Sequence, residues 1–178
     1  MTAWLELAET FNGLSENPSV SRHNPKILEM LYGMGKYNGE AKAWWKEDET
    51  PWCGLFVAYV LGETGRWVVK EWYRAKSWAS PDMTKLSKPA VGSIAVMSRE
   101  GGGHVCIVAG VDQNGNIMCW GGNQSDKVCL AAFAPSRIDG YYWPSKYENK
   151  KCVKSTPLPE RYKLPLIRSN GKVSTNEA

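Results

Sequence analysis

The sequence predicts an α+β fold in which N-terminal helices pack on a C-terminal antiparallel β-sheet. Apolar residues recur at helical spacing in the first part of the chain, and short apolar runs separated by turns follow from about residue 93. One of these turns is Asp112-Gln113-Asn114-Gly115, whose composition favours a tight hairpin. Helices that precede a group of strands are typical of the α+β class.

Local signals place the helices. A first helix begins after Thr2, whose hydroxyl can cap it. A second begins at Asn24-Pro25, because proline is favoured at the first helical position, and Gly33 and Gly35 end it. A third begins at Cys53 and ends near Gly65, a suitable C-terminal cap. A short helix is also predicted over residues 41–46.

Five strands are predicted after the helices, and a change in composition follows them. The strands cover residues 93–97, 104–111, 116–120, 127–132 and 137–142. Residues 80–89 before them are interpreted as a loop. Beyond Pro144, charged residues and prolines replace the apolar periodicity. We therefore predict one domain over residues 1–147 and an extended or flexible tail over residues 148–178.

The composition describes one folded domain of ordinary size. The chain has 178 residues, 43% apolar content and nine tryptophans, enough to bury a core. The net charge of +4 comes without a dense basic block, which argues against a nucleic-acid interface. No apolar window approaches a membrane span, and the first residues do not resemble a signal peptide. We therefore expect synthesis in the cytoplasm without a signal peptide, and no membrane insertion.

The cysteines do not form a metal or disulfide pattern. They are odd in number, and no two have CxxC spacing. We expect reduced thiols, with Cys106 and Cys119 as small core side chains.

Cys53 stands at the start of a predicted helix, directly after Pro51 and Trp52. A thiol in the first turn of a helix is near the positive end of the helix dipole, which favours the thiolate. Gly54 leaves the approach to the sulfur open, and the Cys53 backbone N–H can point at a developing oxyanion. We interpret Cys53 as a nucleophile; the alternative is one more small buried residue.

His104 is the candidate base, because a cysteine nucleophile needs a group that accepts and returns a proton. It begins a predicted strand behind Gly101-Gly102-Gly103, which leave room around the imidazole. The other histidine, His23, lies in a polar loop and is interpreted as facing solvent. Cys53 and His104 together indicate a cysteine hydrolase, provided that the sulfur meets the imidazole.

A third group should orient the imidazole. The hairpin returns the chain beside the His104 strand, where Asn123 or Gln124 could accept the imidazole N–H. The alternative is that this segment is only a turn or a bulge. Trp52 and Trp120 flank these groups and are, with Gln124, the candidate substrate-binding residues. We expect most other tryptophans to be packing residues.

Three segments in this order resemble a known family. Pro51-Trp52-Cys53, Gly103-His104-Val105 and the run over residues 121–126 are similar to motifs of the CHAP-type cysteine, histidine-dependent amidohydrolases/peptidases. These enzymes are papain-like peptidoglycan hydrolases. The resemblance covers about Trp4 to Trp143 and is strongest for a small single-domain group common in bacteriophages and prophages.

The resemblance implies a papain-like CHAP fold and cleavage of a peptidoglycan amide bond, by an N-acetylmuramoyl-L-alanine amidase or a peptide-stem endopeptidase. It implies Cys53 as nucleophile, His104 as base and Asn123 as the third polar residue, with Gln124 as the alternative. Some relatives bind calcium before the nucleophile, but Glu47-Asp48-Glu49 lacks the alternating ligand pattern. We expect no required metal and no cofactor.

The resemblance also suggests a biological setting. We expect a monomer that is made in the host bacterial cytoplasm and acts on the cell wall after release, as a phage endolysin does. Peptidoglycan is the expected partner. Two alternatives stay open: a catalytically silent wall-binding or structural phage protein, and an antibacterial effector toxin of the same fold.

Overall fold

Four helices precede the sheet within residues 1–17, 19, 23–38 and 52–175, the part of the chain that the computed structural model describes. They are α1 (Ala3–Thr10), α2 (Pro25–Gly33), α3 (Gly35–Asn38) and α4 (Cys53–Glu63). None of the helices in these ranges has the length and apolar character needed to cross a membrane. The helix predicted over residues 41–46 and the acidic run Glu47-Asp48-Glu49 lie outside the described residues.

Six antiparallel strands form the main sheet. They are β1 (Thr84–Leu86), β2 (Ile94–Arg99), β3 (Gly102–Val111), β4 (Ile117–Gly121), β5 (Cys129–Phe133) and β6 (Ile138–Trp143). The strand order is β1-β6-β2-β3-β4-β5, and every neighbouring pair is antiparallel. β7 (Lys146–Glu148) and β8 (Lys151–Val153) form a separate hairpin. The prediction of an α+β fold is confirmed.

Three local predictions are wrong. The Thr2 hydroxyl does not cap α1, because its side chain makes no cap hydrogen bond. Residues 80–89 are not only loop, because β1 lies among them and pairs with β6. A strand of three residues is too short to show an alternating pattern in the sequence. Gly33 ends α2 as predicted, but the chain returns to helix at Gly35 and forms α3.

The sheet buries side chains on both of its faces. Val105 and Ile107 of β3 belong to the same core as α1 and α4, and we call this side the helix face. Cys106 and Val108 alternate with them and pack in a second core with Phe133 of β5, on the side that we call the outer face. Adjacent residues of β3 therefore face different surroundings.

The first residue of α4 is held firmly against β3. Eight of the eleven α4 residues are buried, which explains the nearly continuous apolar sequence of this helix. The helix packs on α1, α2 and β3. Gly54 is required for this fit, since a Cβ there would overlap the Trp72 carbonyl oxygen. The position of Cys53 therefore follows from the packing of the whole helix.

The described part of the segment after residue 147 lies against the domain. Ile167 packs on the core, and Leu166 forms a parallel bridge with Val111 at the end of β3. The Ser169 hydroxyl donates to Asp112 Oδ2 at 2.8 Å. The domain boundary at residue 147 and the extended or flexible tail beyond it stay predictions; the contacts above join residues 166–169 to the domain.

Candidate active site

Cys53 lies on the floor of an open cavity of about 510 Å³, which we call the Cys53 cleft. The cleft is enclosed by the start of α4, by the 3₁₀ turn at Ala75–Trp78 and by the turn between β2 and β3. Glycines 101–103 form one wall. The polar side chains of the lining are those of Tyr73, Arg74, Lys76, Ser77 and Arg99. Cys53 lines this cleft and is 5% exposed.

Burial raises the pKa of the Cys53 thiol, because desolvation disfavours the thiolate. Backbone groups of Val105 and Gly54 and the charge of Arg99 lower the pKa without cancelling this rise. The start of the helix therefore does not by itself produce the thiolate that the sequence predicted.

His104 is fully buried on the outer face of the sheet. It pairs with Met97 of β2, and its ring centroid lies 5.6 Å from that of Phe133. Met97 and Phe133 both belong to the outer-face core. Because directly opposed residues of an antiparallel pair share a face, the imidazole points away from α4.

Gln124 is the hydrogen-bond partner of the imidazole. Nε2 of His104 lies 3.0 Å from Oε1 of Gln124. The amide nitrogen of Gln124 donates to the carbonyls of Cys129 at 2.6 Å and Cys119 at 3.4 Å. Since that nitrogen faces two acceptors, the amide oxygen faces the imidazole, and His104 Nε2 carries a hydrogen. Nδ1 is then the basic atom of the neutral ring.

Cys53 and His104 lie on opposite faces of β3, so the contact that the sequence predicted is not formed in this structure. Val105 is on the helix face with Cys53, and the preceding residue, His104, is on the outer face. Spacing along a sequence locates a residue near the start of a strand. It does not reveal the face, because a shift of one residue reverses every side chain.

Asn123 lies at the turn that connects the two faces. It is 2% exposed and has a φ of 56°, in the left-handed region that asparagine tolerates. Gly122 before it fits against α4, since a Cβ there would lie 2.6 Å from the Phe56 Cβ. Gln124 after it reaches His104 on the outer face. The structure therefore joins the imidazole to Gln124, and a catalytic role of Asn123 stays a prediction.

The predicted substrate-binding residues lie away from the Cys53 cleft. Trp52 is 0% exposed, and its Nε1 donates to Glu16 Oε1 at 2.7 Å. Gln124 is 1% exposed within the network described above. Trp120 lines a different cavity, of about 590 Å³, beside Leu5. Trp52 and Gln124 are both enclosed in this structure, and substrate contact by them stays a prediction.

The positive charge of the cleft was not predicted from the sequence. Arg74 and Lys76 come from a segment without clear periodicity, and Arg99 ends β2. One signal could have found Arg99: it directly precedes the turn that leads to the candidate base. The 3₁₀ turn that carries Lys76 packs directly on both β2 and β3. Such a contact between distant segments cannot be read from the spacing of residues.

One comparison with known proteins bears on this site. Residues 45–123 match the family model of the CHAP domain, a range that contains Cys53, His104 and Asn123. The match covers less than half of the chain and supports a CHAP-type peptidase or amidase family, with which the observed α+β fold is consistent. No curated protein and no solved structure matches the chain. CHAP domains are typically cysteine-dependent hydrolases, and the match suggests peptidoglycan amidase or peptidase activity.

Proposed function

We propose that this protein hydrolyses an amide bond of bacterial peptidoglycan with Cys53 as the nucleophile. The observation that carries the proposal is the position of Cys53, which begins α4 and forms the floor of the open cleft. The CHAP match over residues 45–123 supports the same chemistry. Both N-acetylmuramoyl-L-alanine amidase and peptide-stem endopeptidase activity agree with this arrangement.

The proposed reaction has an acylation and a hydrolysis step. The thiolate of Cys53 attacks the carbonyl carbon, and the carbonyl electron pair moves onto oxygen. N–H groups in the first turn of a helix have no intrahelical acceptor, so those of Cys53 and Gly54 can donate to this oxyanion. The carbon–nitrogen bond then breaks, the leaving amine takes a proton, and water hydrolyses the thioester.

We propose that His104 carries the proton after a change at the start of β3. The imidazole would have to leave Gln124 and turn towards the cleft. Gly101 and Gly102 are the candidate hinge, because a Cβ at Gly101 would have no neighbour within 4 Å and one at Gly102 only Arg99 Nε, at 3.8 Å. Substrate bound in the adjacent cleft would favour this second arrangement. The contact with Gln124 then defines the resting form.

A catalytically silent wall-binding or structural protein is the second candidate function. The arrangement that favours it is the separation of Cys53 and His104 by β3, with the imidazole enclosed in the outer-face core. In such a protein both side chains would serve packing alone. The two candidates differ in whether these residues are needed to break bonds in the wall.

Purified sacculi distinguish the two candidates. The release of new amino groups is measured for wild type, Cys53→Ala, His104→Ala and Cys152→Ala, a half-buried cysteine outside the cleft. We expect release by wild type and Cys152→Ala, and a loss of about a thousandfold or more in Cys53→Ala and His104→Ala. Mass spectrometry of the fragments identifies the bond. Equal rates for wild type and Cys53→Ala would refute the hydrolase.

A different result bears on His104 alone. Release that survives in His104→Ala but not in Cys53→Ala would reject His104 as the proton carrier and keep Cys53 as nucleophile. Circular dichroism of each variant shows whether the fold is intact, since both residues are buried.

Phage-driven lysis is the setting that we propose for this activity, with residues 1–147 as the catalytic domain. The protein would be a monomer, made in the host bacterial cytoplasm, that meets peptidoglycan after release. An effector toxin delivered into rival bacteria would use the same chemistry. The genes beside the coding sequence separate these settings: lysis genes support the first and secretion genes the second.

A further inference from the structure

The Cys53 cleft carries positive charge that its described lining does not neutralise. Arg74, Lys76 and Arg99 are the charged residues of that lining, and none of the lining residues that the structure describes is acidic. Arg74 lies 3.8 Å from Glu71, but both side chains are largely exposed, so this pair is weak. The cleft therefore favours an anionic ligand.

Arg99 is the cation best placed to bind such a ligand. Its Nε atom is buried and has no hydrogen-bond partner in the part of the chain that the structure describes. Arg99 ends β2 opposite Gly102, and its charge acts on the Cys53 thiol. A buried donor without an acceptor is unfavourable, and a ligand oxygen would relieve this. Guanidinium groups bind carboxylates especially well, through charge-assisted hydrogen bonds.

We propose that the Cys53 cleft takes amide substrates that carry a carboxylate beside the scissile bond, and that Arg99 binds this carboxylate. The inference rests on the proposed hydrolysis by Cys53 and narrows its substrate class to acidic peptides. Peptidoglycan stem peptides supply such carboxylates, and their amidation removes the charge. Lys76 and Arg74, at the exposed side of the cleft, attract the same group at longer range.

Two alkylating reagents, one anionic and one neutral, test the charge selectivity of the Cys53 cleft without requiring turnover. The Cys53 thiolate displaces iodide from anionic iodoacetate or from neutral iodoacetamide, and mass spectrometry of the Cys53 peptide gives both rates. The ratio of the two rates cancels any effect of Arg99 on the thiolate fraction, because both reagents attack the same thiolate. We expect the ratio of the iodoacetate rate to the iodoacetamide rate to exceed that of a free thiol by about tenfold.

Variants test whether Arg99 causes the preference for the anionic reagent. Arg99→Gln should bring the ratio close to that of a free thiol, whereas Arg99→Lys should keep part of the excess. Lys85→Gln removes an exposed charge outside the cleft and should leave the ratio unchanged. A wild-type ratio equal to that of a free thiol, or one unchanged in Arg99→Gln, would overturn the inference. Arg99→Lys keeps the test decisive if Arg99→Gln does not fold.

Turnover separates this inference from the proposed function. Defined stem peptides with a free carboxylate are compared with the same peptides amidated at that position. We expect a higher kcat/KM for the free carboxylate in wild type and little preference in Arg99→Gln. Cys53-dependent turnover without any preference would overturn the inference and keep the hydrolase. Charge-selective alkylation without turnover of either peptide would overturn the hydrolase and keep the anion site.

Discussion

Cys53 and His104 are separated by the backbone of a single strand, β3. Val105, the residue that follows His104 in this strand, is on the same face as Cys53. Cys53 lines an open cleft, whereas the imidazole of His104 is enclosed in the outer-face core and hydrogen-bonded to Gln124. The two groups can exchange a proton only if the start of β3 rearranges.

The first prediction concerns the titration of the Cys53 thiol. Because burial raises its pKa, alkylation by iodoacetamide should be slow at neutral pH and increase with pH, with a midpoint above that of a free thiol. Arg99→Gln removes a charge that lowers the pKa and should move the midpoint further upward. Rates at Cys53 are followed by mass spectrometry between pH 6 and about 11. A midpoint below that of a free thiol would contradict the burial described here.

The second prediction concerns the network around Gln124. Gln124→Met has similar volume but removes the acceptor for His104 Nε2–H and the donor to two carbonyls. Buried polar groups that lose their partners should lower the free energy of unfolding by about 1–3 kcal/mol. Urea denaturation followed by tryptophan fluorescence measures the change. Gln113→Met, on the exposed hairpin, is the matched control: its hydrogen bonds to the Ser169 backbone are exposed to solvent, so their loss should lower the free energy of unfolding by less than Gln124→Met does.

The third prediction concerns Asp112, which joins the β3–β4 hairpin to the C-terminal segment. Burial raises the pKa of this carboxyl, but hydrogen bonds from Asn116, Ser169 and the Asn114 backbone lower it to about 2. Because the folded pKa is below the unfolded value, the carboxylate stabilises the fold above about pH 4. That stabilisation is lost as pH falls towards about 2.

Asp112→Asn should therefore lower Tm at pH 7 and flatten its pH dependence between about pH 4 and 2. Thermal melts across this range provide the measurement. Asp126→Asn, at an exposed turn position, is the control and should follow the wild-type curve. The interpretation fails if Asp112→Asn and wild type lose Tm in parallel as the solution is acidified.

The fourth prediction compares two helical glycines. Gly54→Ala places a Cβ against the Trp72 carbonyl oxygen and should destabilise the fold by about 1–3 kcal/mol. Gly33→Ala has no neighbour within 4 Å and should be neutral or stabilising by up to about 1 kcal/mol. Chemical denaturation gives both values. Equal effects of the two substitutions would show that α4 is not seated against Trp72 as described.

Elements with strong local signals were predictable from the sequence. Asn24 caps α2 by accepting the Lys26 N–H at 2.9 Å, as expected of asparagine before proline. The hairpin at residues 112–115 forms because the Asp112 side chain binds the amides of Asn114 and Asn116. Each of these signals depends on residues a few positions apart, so the sequence contains it directly.

The candidate site was predictable only in part. The start of α4 at Cys53 was expected and is observed. The face of His104 was not predictable, because it depends on the register between β2 and β3. The proximity of Arg99 to Cys53 also depends on that pairing. Relationships between distant segments therefore account for what the sequence analysis missed.

The strand order has a consequence for the growing polypeptide. β1 pairs with β6, and β2 needs β6 on one side and β3 on the other. A nascent chain that has not yet extended to Trp143 therefore leaves one edge of β2 without its final neighbour. Completion of the sheet must wait until translation has passed Trp143, and a chain released before that point would expose an unpaired strand edge.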